Sequence, residues 1–292
     1  MNPASTARMA CLFLILHCAA AQAAQLGGDA AAGREARSAR DEGLRLYALG
    51  RHAEAAESFR RAVNSKPDYA EAYNDLGMAL LGAGQKAEAV EALRRAVALR
   101  PGRAEAHYNL GSAFYAAGRN EEAAAAFEEA VRLKGDYAWA HYNLGVVYEE
   151  AGRHAEAVSR LRRAVELRPD WAEAHARLGL VCHGAGRSRE AVAALERASR
   201  LKPEYAEAHN SLGVLYFGAG RRAEAEAAFG RAVKLRPDFA AARYNLAAAS
   251  LALNNRDAAY AQYRALKNLD EGLAVKLYGG LTRGRVLSLV DR

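Results

Sequence analysis

Histidines recur along this sequence at a regular interval and are the first candidates for chemistry. They lie 34 residues apart, at His107, His141, His175 and His209. Imidazole nitrogens bind zinc at about 2 Å, whereas helices of successive structural repeats pack about 8–10 Å apart. Because equivalent side chains on such helices cannot reach one ion, we expect the four histidines to pack structurally. The sequence predicts no metal site and no cofactor.

The second candidate is cysteine chemistry. Cys182 holds the position at which Phe114, Tyr148 and Tyr216 stand in other repeats, and this position is predicted to face the core. A catalytic thiol needs solvent access and a basic neighbour, so we interpret Cys182 as a small buried apolar residue. The chain also shows no nucleophile–base arrangement, phosphate-binding loop, paired-carboxylate motif or metal-ligand spacing. We therefore predict no catalytic residues and no enzymatic activity.

The elements that position these residues form a repeat of two helices. Prolines mark the end of each repeat at 34 residues or twice that interval, with Gly135 at the one missing place; they are Pro67, Pro101, Pro169, Pro203 and Pro237. In one repeat Tyr73, Leu76 and Leu80 lie on one helical face, and Gly84 then ends the helix. A second amphipathic helix follows and ends at the proline. The sequence predicts six full helical hairpins over residues 36–239 and a degenerate seventh up to residue 269.

Two further signals concern the start of the first helices and the C-terminal end of the array. Asp68, Asp170 and Glu204 each lie three residues before a glutamate and are predicted to cap the next helix. Beyond the array, residues 270–292 are predicted to form a capping helix that ends at Gly279 and Gly280, followed by a tail. The tail includes the apolar stretch 286–290, which either packs on the last hairpin or forms an edge for partner binding.

These in-phase motifs resemble the tetratricopeptide repeat family. Leu-Gly recurs in the first helices at 76–77, 110–111, 144–145, 178–179 and 212–213. The second helices have the family's pattern as Ala55, Phe59, Ala62 and Pro67, with equivalents in later repeats. The resemblance implies an all-α, right-handed superhelical solenoid of antiparallel helix hairpins, with about seven repeats and the capping helix.

The last repeat departs from this pattern. Ala247 replaces the helix-contact glycine, Asn254 the turn glycine and Leu266 the second-helix alanine.

The resemblance also implies that the remaining face of the first helices lines a concave groove in which peptides bind. Asn109, Asn143 and Asn245 hold the position of the asparagine ladder in the repeat domain of the O-linked N-acetylglucosamine transferase, although Asp75, Arg177 and Ser211 interrupt it. A side-chain amide both donates and accepts, so a column of amides can bond an extended peptide backbone without reading its sequence. Simple solvation of this face is the alternative. The predicted peptide-binding residues are Asn74, Tyr108, Asn109, Tyr115, Trp139, Tyr142, Asn143, Glu149, Glu150, Arg177, Asn210, Phe217, Tyr244 and Asn245.

The N-terminus is predicted to be an export signal. Arg8 precedes a short apolar run, and Ala21-Gln22-Ala23 places small residues at a cleavage site, so we expect residues 1–23 to be removed after Ala23. The run is shorter than the ~18 apolar residues that span a bilayer, which disfavours an uncleaved anchor, and His17 disfavours a lipid on Cys18. Residues 24–35 are predicted to be a flexible lead-in. The mature chain is then periplasmic or secreted, with no transmembrane segment.

The sequence has a formal net charge of +7, and local structure accounts for much of it. Basic residues precede the prolines, where each faces the negative end of a helix dipole, and arginine pairs such as Arg94-Arg95 form an outer charged face. With export, this pattern disfavours nucleic acid as a partner. Contact with anionic polysaccharide or lipid headgroups stays open.

These observations predict a non-catalytic scaffold or assembly factor of the cell envelope that binds an extended peptide or helical segment of a partner protein. One alternative is a module that binds envelope glycan or cell-wall polymer. Another is an accessory subunit that assists a glycosyltransferase in trans.

Overall fold

The computed structural model describes residues 31–283 and 289–290 of the chain. The predicted signal peptide lies outside the described residues, as does the lead-in up to residue 30. The chain divides into two compact units after Gly135, and each consists of helix hairpins in which consecutive helices pack on one another. The predicted all-α array of antiparallel hairpins is confirmed.

The described part of the N-terminal unit, residues 31–135, contains three hairpins. Its helices are α1 (residues 31–48), α2 (His52–Ser65), α3 (Ala70–Gly82), α4 (Lys86–Leu99), α5 (Ala104–Ala116) and α6 (Asn120–Leu133). Residues 31–35 are helical, so this part of the predicted flexible lead-in is wrong. Alanine, arginine and glutamate there are strong helix formers, and Ala36 anchors the helix in the core with no exposed surface.

The C-terminal unit, as far as it is described, contains four hairpins and one further helix. Its helices are α7 (Ala138–Glu150), α8 (His154–Leu167), α9 (Ala172–Gly184), α10 (Ser188–Leu201), α11 (Ala206–Gly218), α12 (Arg222–Leu235), α13 (Ala240–Ala252), α14 (Arg256–Leu266) and α15 (Glu271–Arg283). No helix within the described residues is long and apolar enough to cross a bilayer.

The first six hairpins each close where a glycine of the first helix meets a large side chain of the second. A Cβ atom added to Gly77 would lie 2.4 Å from Leu93 Cγ, and one added to Gly213 would lie 2.5 Å from Phe229 Cε1. Both distances are far below van der Waals contact, so the Leu-Gly motif sets how closely the two helices approach.

The turns between paired helices use the left-handed backbone region. Six glycines, from Gly50 to Gly220, have φ between 71° and 80°, and Asn254 takes the same role in the last hairpin with φ 62°. Asparagine is one of the few other residues that tolerate this region. Asn254, which replaces the turn glycine in the degenerate seventh repeat, therefore preserves the turn between its two helices.

The predicted capping by acidic residues is wrong. The N-cap positions of α3, α9 and α11 are held by the aromatic residues that follow those acids, Tyr69, Trp171 and Tyr205, and these make no side-chain cap hydrogen bond. The glutamates of the first turn instead pair with basic residues of the next loop. Glu173 accepts from Lys202 Nζ at 2.8 Å, and Arg236 donates to Glu207 at 2.7 Å.

Three of the four recurring histidines bind the loops that precede their helices. Nε2 of His107 lies 2.8 Å from the Pro101 carbonyl oxygen, and the same contact joins His175 to Pro169 and His209 to Pro203. Because a carbonyl only accepts, the ring must donate. In the last repeat Arg243 takes over and donates to Pro237 at 2.6 Å.

Helix α15 covers the end of the C-terminal unit. Leu277 and Leu281 are fully buried in a cluster with Tyr244, Ala247 and Leu266. The helix continues through Gly279 and Gly280 to Arg283, so the predicted end at these glycines is wrong. Interior glycine costs about 1 kcal/mol each, and burial of Leu281 beyond them contributes about 2 kcal/mol in return.

Candidate peptide-binding site

Side chains on successive first helices are joined at a constant interval of 35 residues. In the N-terminal unit Asn109 Nδ2 donates to Asn74 Oδ1 at 2.8 Å. One position earlier in the array, Arg40 Nε donates to Asp75 at 2.6 Å. The second of the two surface positions in one repeat therefore bonds to the first position of the repeat before it.

The C-terminal unit uses the same register. Asn245 Nδ2 donates to Asn210 Oδ1 at 3.1 Å, and the Tyr142 side chain is hydrogen-bonded to Arg177. These contacts bury several of the predicted peptide-binding residues. Asn245 is 0% exposed and Asn210 is 1% exposed. The amides therefore join hairpins to one another.

Asn245 also binds main chain from the C-terminus. Its Nδ2 donates to the Val290 carbonyl at 2.6 Å, and the Val290 N–H donates to its Oδ1 at 2.9 Å. One side-chain amide thus bonds both polar groups of one residue. This is the backbone recognition that the amide column predicts, here made with the protein's own chain.

Apolar side chains on both sides of this amide support the same segment. Leu289 packs against the cluster of Ala225, Phe229 and Ala249, as does Phe217. Val290 packs against the cluster that contains Tyr244. We call the surface formed by Asn245 and these two clusters the tail seat. It brings together four predicted site residues: Asn210, Phe217, Tyr244 and Asn245.

A cavity of about 490 Å³ lies on the first helices α7, α9 and α11. Its lining includes three predicted site residues, Glu149, Arg177 and Asn210, and two apolar residues that the prediction missed, Leu180 and Val214. We call it the central cavity. Asn210 also bonds Asn245, and Val214 also packs against the cluster under Leu289. The central cavity and the tail seat are therefore adjacent.

The polar wall of the central cavity is a charge pair. Arg177 donates to Glu149 at 3.2 Å. Burial alone would lower the pKa of the Arg177 guanidinium, but the Glu149 carboxylate and the Tyr142 hydroxyl outweigh it, so this pKa stands above its ordinary value. The Arg177 guanidinium therefore stays charged beside Glu149.

Comparison of the sequence with models of known protein families identifies the family of this chain. Models of the tetratricopeptide repeat match residues 40–103, 74–138, 136–204 and 206–239, which together exceed half of the chain. The chain belongs to the tetratricopeptide repeat family. No match was found among curated proteins.

Solved tetratricopeptide structures are similar to this one. The MamA protein is 28% identical with a TM-score of 0.54, covering 60% of this chain and 95% of MamA. YrrB, described as a TPR protein with an unusual peptide-binding site, is 26% identical with a TM-score of 0.56 over 63% of this chain and 95% of YrrB. PilF of Pseudomonas aeruginosa, at 23% identity, has a TM-score of 0.62 over 72% of this chain and 96% of its own, which shows the fold alone. Family and fold support a protein-interaction scaffold.

Two more predicted residues of the tetratricopeptide array meet at an aromatic cluster in the C-terminal unit. Trp139 and Tyr142 lie 4.1 Å and 4.6 Å from Trp171 between ring centroids. The Arg168 guanidinium stands 5.2 Å from the Trp139 ring and 4.9 Å from that of Trp171. Trp139 remains 45% exposed, so the cluster presents one aromatic face to solvent.

The other predicted residues are spread over both units. In the N-terminal unit Tyr108 packs on Phe127 with 5.7 Å between ring centroids, and Tyr115 is exposed. In the C-terminal unit Asn143 is half-buried, whereas Glu150 is exposed. Their role in peptide binding stays a prediction.

The array offers little for catalysis in the part of the chain that is described. The Cys182 thiol is 1% exposed, and burial raises its pKa, so it cannot act as the exposed thiolate that catalysis needs. No group of three or more histidine, cysteine or carboxylate side chains among the described residues could hold a metal ion.

Several residues that shape this site were not predicted from the sequence. One of them, Leu180, could have been found from its position on the helix. Leu180 is a large apolar residue on a first helix at a position outside the face that packs the hairpin, and it is 43% exposed. Trp171 was assigned only to the start of a helix. Val290 could not be placed, because its contact with Asn245 spans 45 residues and the repeat ends before it.

Proposed function

We propose that this tetratricopeptide protein is a non-catalytic scaffold or assembly factor of the cell envelope that binds an extended peptide segment of a partner protein along its first helices. One observation supports this most directly. Asn245 bonds the N–H and the C=O of a single residue, Val290, at 2.9 Å and 2.6 Å. That contact depends on backbone alone and is available to any extended segment.

The central cavity extends this surface. At about 490 Å³ it falls within the usual range for ligand sites, ~300–1,000 Å³. Leu180 and Val214 offer apolar contacts for side chains of the peptide, while Glu149 and Arg177 form a polar border. Because Asn210 lines the central cavity and accepts a hydrogen bond from Asn245, a peptide seated on Asn245 lies next to this cavity.

YrrB gives independent support, since it is a protein of the same family, 26% identical to this chain, and its structure is described as having a peptide-binding site. The envelope location rests on the N-terminal sequence. Arg8, the apolar run and Ala21-Gln22-Ala23 are typical of a cleaved export signal. Mass spectrometry of the protein from native cells should therefore find a chain that begins at Ala24, and a chain that retains Met1 would contradict export by this signal.

Photo-crosslinking tests the peptide-binding face. A photoreactive residue replaces Leu180, which is 43% exposed in the central cavity, or Leu235, which is 36% exposed on a second helix and serves as the matched control. Position 180 should crosslink in intact cells to one short segment of a partner protein, mapped by mass spectrometry. Position 235 should not crosslink to that segment. Equal crosslinking at both positions, or none at 180, would contradict the assignment.

A further inference from the structure

Leu289 and Val290 of the same chain occupy the tail seat, and their contacts indicate which kind of peptide the seat can bind. We infer that the tail seat is a binding site for an extended segment with two successive apolar residues, that Leu289 and Val290 occupy it in cis, and that a partner segment of the same chemistry must displace them. This inference rests on the proposed function and adds to it the chemical class of the peptide and a built-in competitor.

The geometry of the seat selects this class. Successive side chains of an extended chain point to opposite sides. Leu289 packs on the cluster formed by Ala225, Phe229 and Ala249, whereas Val290 packs on the cluster of Tyr244 and its neighbours. Asn245 holds the backbone of Val290 where these clusters meet. The seat therefore accepts one apolar side chain on each side and fixes the peptide bonds of the second residue.

The buried state of Asn245 supports a binding role over an incidental contact. Its side chain is 0% exposed, and with Val290 removed its Oδ1 and one N–H would lose their partners. That exposure is measured with Val290 in place, and each bond to the peptide backbone contributes about 0.5–1.5 kcal/mol beyond the bond to water that would replace it, so the seat favours being occupied. Any occupant must supply a backbone donor and a backbone acceptor at the same place.

The occupant in cis remains partly exposed to solvent. Leu289 and Val290 are only half-buried, and the chain before them is fixed where Arg256 donates to the Leu281 carbonyl at 2.6 Å. A tethered segment of this kind competes through its high local concentration, in the millimolar range. A partner segment that binds in trans meets this competition, which lowers its apparent affinity without blocking the seat permanently.

A peptide displacement experiment tests the inference on the full chain. The probe is a fluorescent peptide with the sequence of residues 284–292. The test protein has Leu289→Asp and Val290→Asp, which place charge against both apolar clusters and release the tail. Fluorescence anisotropy should show that this variant binds the probe, and that the unchanged protein binds it at least about tenfold more weakly.

Variants of the peptide separate backbone recognition from apolar contact and leave the protein intact. A probe with Val290→Pro lacks the N–H that Asn245 accepts and should lose binding at least about tenfold. A probe with Val290→Ile keeps that N–H and should bind like the original. A probe with Leu289→Asp and Val290→Asp should not bind.

Three results would overturn the inference: no binding of the probe by the folded variant, equal binding by both proteins, or concentration-dependent dimers of the unchanged protein that exchange their tails. The last would assign the seat to a second copy. Crosslinking at Leu180 reports on the central cavity and not on the tail seat, so persistence of that crosslink with failure here would reject only this inference.

Discussion

The N-terminal and C-terminal units build the same contact between hairpins and put it to different use. In the N-terminal unit Asn109 donates to Asn74 at 2.8 Å, and in the C-terminal unit Asn245 donates to Asn210 at 3.1 Å. The second of these contacts also lies beneath a main-chain segment, that of Val290. The repeat therefore fixes where an amide stands, and the chain that lies over it decides whether the amide joins hairpins alone or also binds a peptide.

The largest difference between the units should appear when each amide is removed. Asn245→Ala leaves the buried Asn210 oxygen and both polar groups of Val290 without this partner, and we expect a loss of about 2–4 kcal/mol in the free energy of unfolding. Asn109→Ala removes the bond to Asn74 and should cost about 1 kcal/mol. Urea denaturation followed by circular dichroism measures both. Equal losses would remove the distinction between the units.

The packing of the hairpins should not distinguish the units. A Cβ on Gly111 would lie 2.7 Å from Phe127, and one on Gly213 would lie 2.5 Å from Phe229. Gly111→Ala and Gly213→Ala should each cost about 1–3 kcal/mol because the second helix must move away. Gly230 in α12 has open space around it and is the control, since Gly230→Ala should stabilise by about 0.5–1 kcal/mol. Thermal melting checks all three.

The ion pair of Arg40 and Asp75 in the N-terminal unit predicts that stability depends on pH when the pair is broken. Burial raises the pKa of the Asp75 carboxyl, and the Arg40 guanidinium opposes this. Arg40→Ala should cost about 1–2 kcal/mol at neutral pH and raise that pKa further. A raised pKa means that the folded chain binds the proton more tightly, so the stability of this variant should increase as the pH falls from 7 toward about 4.

Urea midpoints at several pH values measure this dependence. Arg45→Ala, an exposed position on the same helix, serves as the control and should show the pH dependence of the unchanged protein. If the Arg40→Ala variant showed the same pH dependence as the unchanged protein, Asp75 would be solvated and the prediction would be wrong.

The smallest predicted effect concerns His175 in the C-terminal unit. Burial lowers its pKa, although the bond to the Pro169 carbonyl acts in the opposite direction. With a lowered folded pKa, the unfolded chain binds the proton first, so stability is lost as the pH falls through the ordinary value of about 6.5. His175→Gln should remove this part of the pH dependence, and proton NMR titration of the ring should find the pKa below its ordinary value. A ring that titrates at or above about 6.5 would contradict burial as the cause.

Much of the fold could be predicted from local sequence because each hairpin is specified by its own residues. The Leu-Gly motif, the turn glycines and the prolines act within one repeat, and Asn254 could be recognised as a turn residue from its place in the period. The prediction was wrong where contacts outside a single repeat, or neighbouring residues, determine the structure. Gly279 and Gly280 do not stop α15, because burial of Leu281 offsets the low helix propensity of the two glycines. The acids before α3 and α9 do not cap, because aromatic residues take the N-cap positions.

The site could be predicted only in part, because its contacts join distant residues. The sequence places Asn210 and Asn245 on the first helices, but it does not show that they bond to each other at an interval of 35 residues or that Val290 lies on Asn245. The apolar stretch 286–290 has two interpretations in the sequence, packing or partner binding. In the structure Leu289 and Val290 pack on the C-terminal unit. The residues that they contact include some that were predicted to bind a partner.

Hydrogen exchange at the Val290 amide tests the central claim most directly. If Asn245 holds this N–H in solution, its exchange in the full protein should be at least about tenfold slower than in the free peptide 284–292, a difference of about 1.4 kcal/mol. The protection should disappear in Asn245→Ala, while amides in the core of α11 remain protected. An amide of Val290 that exchanges in the unchanged protein as fast as in the free peptide would contradict the account.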